Sequence, residues 1–309
     1  MIGAIDGLRE VSAALKGYGI EDSHKEAEII FTQCMEIEKV ALYRDNPPLS
    51  LFQMEEINKI LERRGKREPL QYIIGHVDFY GLKIHVGPGV LIPRPETEML
   101  VEEAIKAVAS HELRVISKNK RQDSELRTPN SEQNSSLVAR HSSLRILDLC
   151  TGSGCLALAL AREFPEAEVF GVDVSEKALE YALVNAGIND IRNITFMKGD
   201  LYDPVKGRKF DIIVSNPPYI RKGDICTLQP EIWGWEPLDA LDGGEDGLHF
   251  YRNIFSAALD YLCSGGIILI EVGRGEADDA ASIAEDCGLR CLSVIRDYSG
   301  IKRVLIFKP

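Results

Sequence analysis

Hydrophobic positions change their spacing along the chain, and each change marks a region. From residue 1 to about 75 they recur at helical intervals: Ile5, Leu8, Val11, Ala14 and Leu15, then Ala27, Ile30, Phe31 and Cys34. Gly17 and Gly19 separate these helices, and Asp22 or Ser23 can cap the second. Asn46-Pro47-Pro48 breaks the pattern before Ser50 opens a further helix through Met54, Ile57, Ile60 and Leu61. Residues 1–75 therefore predict a small helical domain with no visible chemistry, most simply a binding or orienting module. Across 76–98 short alternating runs with glycines between them predict a β-hairpin linker. It ends in the stiff Pro93-Arg94-Pro95, after which Glu96 or Thr97 begins a helix over Met99 to Val108. Residues 111–142 are rich in Ser, Asn, Gln, Lys, Arg and Glu without apolar periodicity, which predicts a flexible surface insertion within a larger domain, 99–309.

From Leu144 onward strands and helices alternate. Strands are predicted at Leu144 to Cys150, Glu168 to Val172, Ile194 to Met197, Phe210 to Ser215 and Ile267 to Val272. Helices fall after Gly154, over Ser175 to Asn185, over Leu248 to Leu262 and over Ala277 to Cys287. The last strands, Cys291 to Arg296 and Arg303 to Lys308, flank the turn Asp297-Tyr298-Ser299-Gly300. This order implies an α/β fold: a doubly wound, mostly parallel sheet closed by an antiparallel C-terminal hairpin.

Composition narrows the functions this fold can serve. A chain of 309 residues with 45% hydrophobic content can hold a large domain and a smaller one. The net charge of -12 argues against non-specific affinity for nucleic acid or anionic membrane. The start shows no signal peptide, and runs such as Ile267 to Ile270 are too short to span a bilayer, so a cytoplasmic protein is expected. The seven cysteines form no C-x-x-C pair and read as reduced, mostly buried thiols, with no metal site.

Candidate chemistry collects at the carboxyl ends of the strands, where open α/β sheets bind ligands. Asp148-Leu149-Cys150-Thr151-Gly152-Ser153-Gly154 joins the first strand to its helix. Its glycines allow close backbone approach, and the helix N-terminus favours an anion. The dinucleotide fingerprint would need glycine at 157, where Ala157 stands, which lowers a nicotinamide cofactor. No phosphate-binding P-loop is present. Asp173 can accept from ribose hydroxyls, Asp200 from an adenine amine, and Leu201 can pack on the base. The fourth strand ends in Asn216-Pro217-Pro218-Tyr219, a corner that prolines forbid to continue as central strand. Its Asn216 oxygen and Pro217 carbonyl can accept both hydrogens of a planar NH2 group, with Tyr219 against its face. Together these features describe S-adenosylmethionine beside an amine-orienting site.

This combination resembles the class I S-adenosylmethionine methyltransferases, with their seven-stranded sheet. It resembles most closely the protein-(glutamine-N5) methyltransferases that modify peptide chain release factors. The likeness runs through Arg67 to Gly75, Pro88 to Glu98, Leu147 to Gly154, Ser215 to Ile220, Glu236 to Leu241 and Asp297 to Arg303, and omits the insertion. It implies that Cys150 to Gly154, Asp173 and Leu201 line the cofactor site, and that Asn216 to Tyr219 hold the substrate glutamine, with Asn216 touching both ligands. It also implies transfer to the glutamine of a Gly-Gly-Gln loop, with residues 1–75 recognising the release factor. Arg94 is a further candidate substrate contact. Cys150 stands where many members carry Gly, and Glu276 where many carry Gln. Neither Cys nor His is placed as a base, so orientation by Asn216, Pro217 and Tyr219 is expected to carry catalysis. The rivals are an N6-adenine DNA or RNA methyltransferase, a glutamine methyltransferase acting on a ribosomal protein, and a binding module without catalysis.

Overall fold

A computed structural model describes residues 3–109 and 144–309; the insertion expected over 111–142 lies outside the described residues. The chain forms two compact units, Met1–His76 with Leu228–Glu236, and Val77–Thr227 with Pro237–Pro309.

The first unit holds α1 (Ala4–Gly17), α2 (Ser23–Met35), α3 (Lys39–Asp45), α4 (Leu51–Gly65) and α5 (Leu70–Ile74). The periodic residues Leu8, Leu15, Ile30 and Phe31 share one core with Leu42 of α3, a short helix that the sequence pattern does not announce. Ser50 closes a capping box with Gln53 at the start of α4, which satisfies two otherwise orphaned donors. Asp22 sits at the N-cap of α2 but makes no side-chain capping bond. The segment Leu228–Glu236 joins this unit through Glu231, whose carboxylate takes Arg64 Nη2 at 3.2 Å and Arg67 Nη2 at 2.7 Å.

The second unit opens with a hairpin, β1 (His76–Phe79) and β2 (Leu82–His85). Tyr80 and Gly81 both take positive φ, 48° and 71°, as the tight turn between right-twisted strands requires. After Pro95–Thr97, one turn of 3-10 helix, residues 98–109 form α6. Then follow β3 (Arg145–Leu149), α7 (Cys155–Glu163), β4 (Glu168–Asp173), α8 (Glu176–Ile188), β5 (Ile194–Lys198) and β6 (Phe210–Ser215). After the short helix α9 (Pro230–Trp233), which lies in the first unit, come α10 (His249–Tyr261), β7 (Leu262–Glu271), α11 (Ala277–Asp286), β8 (Arg290–Arg296) and β9 (Lys302–Lys308).

The seven strands lie in the order β5-β4-β3-β6-β7-β9-β8. All neighbours are parallel except β7 with β9 and β9 with β8. The chain runs from β3 outward through β4 to β5, then returns to place β6 on the other side of β3. That reversal opens a crevice at the carboxyl ends of β3 and β6. Strand β7 begins earlier than the expected Ile267, because Leu262 already pairs with Phe210 before a register shift. Gly265, at φ 83°, supplies the backbone turn inside that irregular stretch, which from sequence reads as a loop.

The expectation of mostly buried thiols needs correction. Cys155 alone is buried among the seven; Cys226 is exposed and the rest are half-buried, all unpaired. Among the described residues no helix is long and apolar enough to cross a membrane.

Candidate active site

The crevice is built on a turn of left-handed residues. Strand β3 ends at Leu149, and Cys150, Gly152 and Gly154 then take φ of 59°, 55° and 80°. A Cβ on Gly154 would meet Ala182 and Phe196 at 3.0 Å, so glycine there lets α7 pack closely. A Cβ on Gly152 would meet nothing within 4 Å, so that backbone faces open space. The turn is fastened from below by Asn185, fully buried, whose Nδ2 donates to Ser153 O at 3.0 Å and to His85 O at 3.1 Å.

Carboxylates flank this turn on both sides. Asp173, at the tip of β4, accepts from Gly152 N at 2.8 Å and from Ser175 N at 2.9 Å. Ser175 is the cap of α8, accepting from Ala178 N at 3.1 Å, so Asp173 is not needed there. Asp148, fully buried inside β3, accepts through Oδ2 from Thr151 Oγ1 at 2.5 Å and Ala157 N at 3.2 Å. Its Oδ1 is buried without a hydrogen-bond partner among the described residues. Burial pushes the Asp148 carboxyl up to about 7, against the pull of those bonds. Burial, and then the charges of Asp173, Asp148 and Asp200, push the Cys150 thiol well up, which leaves it a neutral wall of the crevice.

These carboxylates bear on the charge of the ligand expected at the turn. The amides of Gly152 and Ala157 are already spent on Asp173 and Asp148, which leaves fewer donors for an anion at the turn. A crevice with an unpartnered buried carboxylate oxygen suits a cationic ligand carrying an ammonium and hydroxyls. S-adenosylmethionine has both, with a sulfonium charge, whereas a pyrophosphate would meet like charge.

The corner lies next door by register. Leu149 pairs with Ser215, and Ser215 Oγ donates to Leu149 O at 2.8 Å, locking the tips of β3 and β6 together. Asn216 therefore leaves β6 as Cys150 leaves β3. Pro217 and Pro218 are buried, while Asn216 and Tyr219 are half-buried. The chain then bonds Ile220 N to Leu241 O at 2.9 Å and Gly243 N to Ile220 O at 2.8 Å. Gly243 packs so closely that a Cβ there would come within 2.7 Å of Tyr219 backbone. This pairing explains why the motif ending at Leu241 accompanies the corner.

Asn216 Nδ2 donates to Thr97 Oγ1 at 3.1 Å, and Thr97 Oγ1 donates to Glu271 Oε2 at 2.8 Å. Thr97 and Glu271 are both buried, and burial pushes Glu271 up to about 7. Burial also raises the Tyr219 phenol, so it stays protonated. Arg94, half-buried, directly precedes the Pro95–Thr97 turn that carries Thr97. An open cleft of about 360 Å³ continues past Tyr219 between Arg221, Gly273 and Glu276. Glu276, pushed up to about 7 by burial, accepts from Tyr251 Oη at 3.3 Å.

Cys150 to Gly154, Asp173 and Asn216 to Tyr219 thus line adjoining strand tips. Asp200 and Leu201 stand at the end of β5, Asp200 exposed and Leu201 half-buried at φ 43°. Sequence reasoning gave no role to Asp148, Thr97 or Glu271. For Asp148 a signal existed: a carboxylate within the apolar run of a buried parallel strand is out of place unless something uses it.

A seven-stranded sheet with its antiparallel end hairpin, a carboxylate-flanked glycine turn at the reversal point and a proline corner beside it define a class I S-adenosylmethionine-dependent methyltransferase. Comparison with known proteins makes this specific. The Methyltransferase small domain family matches residues 134–229, and the PrmC N-terminal domain family matches residues 6–75. A release factor glutamine methyltransferase of Thermodesulfovibrio yellowstonii is 44% identical over 305 residues, covering 99% of this chain and 98% of that protein. One from Geobacter sulfurreducens is 37% identical, with 96% and 95% covered. The chain belongs to the release factor glutamine methyltransferase family.

Proposed function

We propose that this enzyme transfers a methyl group from S-adenosylmethionine to the side-chain amide nitrogen of a glutamine in a release factor, the residue of a Gly-Gly-Gln loop. The observation that carries the reading is the register of Leu149 with Ser215, which sets the amide of Asn216 beside the carboxylate-flanked turn. S-adenosylmethionine supplies a methyl group on positively charged sulfur. Asp148 Oδ1 would hold its ammonium and Asp173 its ribose hydroxyls. Leu201 and Asp200 would line the base, and Cys150 to Gly154 would form the floor.

The substrate amide is a poor nucleophile, because its nitrogen lone pair is delocalised into the carbonyl. Asn216 Oδ1 and the Pro217 carbonyl accept from its NH2 group, while Pro218 and Tyr219 wall its flat face. Positive charge develops on nitrogen as its bond to carbon forms and the carbon–sulfur bond breaks, so both acceptors strengthen their hold in the transition state. The displaced proton leaves to water. No side chain is needed as a strong base, and alignment alone can supply roughly 7–11 kcal/mol of barrier reduction.

Arg94 would contact the substrate. The helical unit, which exposes Val40, Leu51 and Phe52, would recognise the release factor. We place the reaction in the cytoplasm, where release factors act, and expect no sequence-specific contact with nucleic acid. Asn216→Ala tests the core of the reading: turnover should fall more than about a thousandfold, while S-adenosylmethionine binding by calorimetry weakens only modestly. Near-normal turnover in that variant would sink the proposal.

A further inference from the structure

We propose that Thr97 and Glu271 are positioning residues that fix which end of the Asn216 amide faces the substrate. The inference rests on the reading that Asn216 holds the substrate NH2 group. A carboxamide is nearly symmetric in shape but opposite in chemistry at its two ends: nitrogen donates and oxygen accepts. The proposed reaction needs the oxygen toward the substrate. Nothing in the shape of Asn216 ensures that, and a flipped amide would point its own NH2 at the substrate NH2.

The neighbouring groups decide the orientation. Above about pH 7, where most of Glu271 is ionised, its carboxylate can only accept hydrogen bonds, and its Oε2 lies 2.8 Å from Thr97 Oγ1. A hydroxyl has one proton, so that of Thr97 is committed to Glu271. Thr97 can then only accept from Asn216, and it meets Nδ2 at 3.1 Å. The amide oxygen is thereby turned away from Thr97, and it accepts no hydrogen bond among the described residues, which leaves it for the substrate. The reversed amide would set two lone pairs against each other in a buried contact. Thr97 and Glu271 are each 2% exposed, so water cannot stand in for either. Burial raises the Glu271 carboxyl to about 7; the Thr97 hydrogen bond, Arg303 and Arg94 favour its ionised form, and Glu96 opposes it. The pair thus explains a contact 174 residues apart in sequence that has no part in the sheet ladder.

Thr97→Val keeps the shape and removes the hydroxyl; Thr97→Ser keeps the hydroxyl. Glu271→Gln keeps the volume and gives position 271 its own donor, so the direction of the relay is lost. These variants would be compared with Asn216→Ala in methyl transfer to a release factor, with calorimetry for S-adenosylmethionine and a thermal melt for folding. We expect kcat to fall roughly 10- to 100-fold in Thr97→Val and severalfold in Glu271→Gln. KM for the release factor and the cofactor Kd should stay close to those of the parent, and Thr97→Ser should recover most of kcat. A purely structural role would instead lower the melting temperature and leave kcat of the folded protein intact. Unchanged kcat in folded Thr97→Val, or in Glu271→Gln should Thr97→Val not fold, overturns the inference while inactive Asn216→Ala leaves the proposed function standing. Active Asn216→Ala overturns that function, and this inference with it.

Discussion

The two units bury charge in opposite ways. In the helical unit Arg64, 1% exposed, gives Glu26 a bidentate pair at 2.8 and 3.0 Å, Glu231 a bond at 3.2 Å and the Glu68 carbonyl one at 2.6 Å. Burial would raise Glu231, but Arg67 and Arg64 hold it below its ordinary value. At the strand tips Asp148, Glu271 and Glu276 have no cation bonded to them among the described residues, and burial lifts each to about 7. The first arrangement satisfies its charges within the chain, Arg67 Nε apart, and therefore holds a fold. The second is satisfied only in part: Asp148 Oδ1 has no hydrogen-bond partner among the described residues. Buried charge by itself thus says little about function; whether its partner belongs to the chain separates the two cases.

Removing the internal cation should have the largest effect. Arg64→Ala leaves Glu26 and Glu231 facing each other without their shared partner and should cost about 3–5 kcal/mol of stability, read by urea unfolding. A loss of less than about 1 kcal/mol would mean that the cluster is as weak as a surface ion pair. Asp148→Asn should do the reverse. It removes an unpaired buried charge, so the ligand-free fold should be as stable or more so, while S-adenosylmethionine affinity falls roughly 10- to 100-fold.

The pH dependence follows the same carboxylate. Its value in the ligand-free protein is raised to about 7, and an ammonium partner favours the ionised form. Below that pH binding must first expel a proton. Cofactor affinity should therefore rise with pH up to about 7, by as much as about tenfold per unit, and level off above. Asp148→Asn should flatten that limb; calorimetry at matched ionic strength reads both. The smallest effect concerns the turn itself. Cys150 holds φ 59°, a conformation that strains a residue with a side chain, and Cys150→Gly should stabilise the fold by roughly 0.5–1 kcal/mol after the entropy of glycine is counted.

The same division governs what could be read from sequence. Periodicity named the helices of the first unit and the strands of the sheet, because each element buries a face set by its own repeat. Loop chemistry named the glycine turn, Asp173 and the proline corner, since a fold of this class places them all at strand ends. Arg64 within α4 looked like any helical arginine, and Glu231 reaches it from 167 residues away. Thr97 read as a helix start, and its use as the prop for Asn216 depends on a strand that closes much later in the chain. Short-range pattern carries spacing and turn type; it does not carry which distant side chains meet. Asp148 is the instructive exception, legible in principle as a charge in an apolar strand.

The central claim is that the proline corner presents a glutamine amide to a methyl donor held at the glycine turn. The most direct measurement is incubation with methyl-labelled S-adenosylmethionine and a release factor, beside its Gln→Ala variant in the Gly-Gly-Gln loop and duplex DNA, with the labelled residue located by mass spectrometry. Label on that glutamine of the wild-type factor alone is the predicted result. Label on the Gln→Ala factor, on DNA instead, or on none of them while cofactor still binds would contradict it.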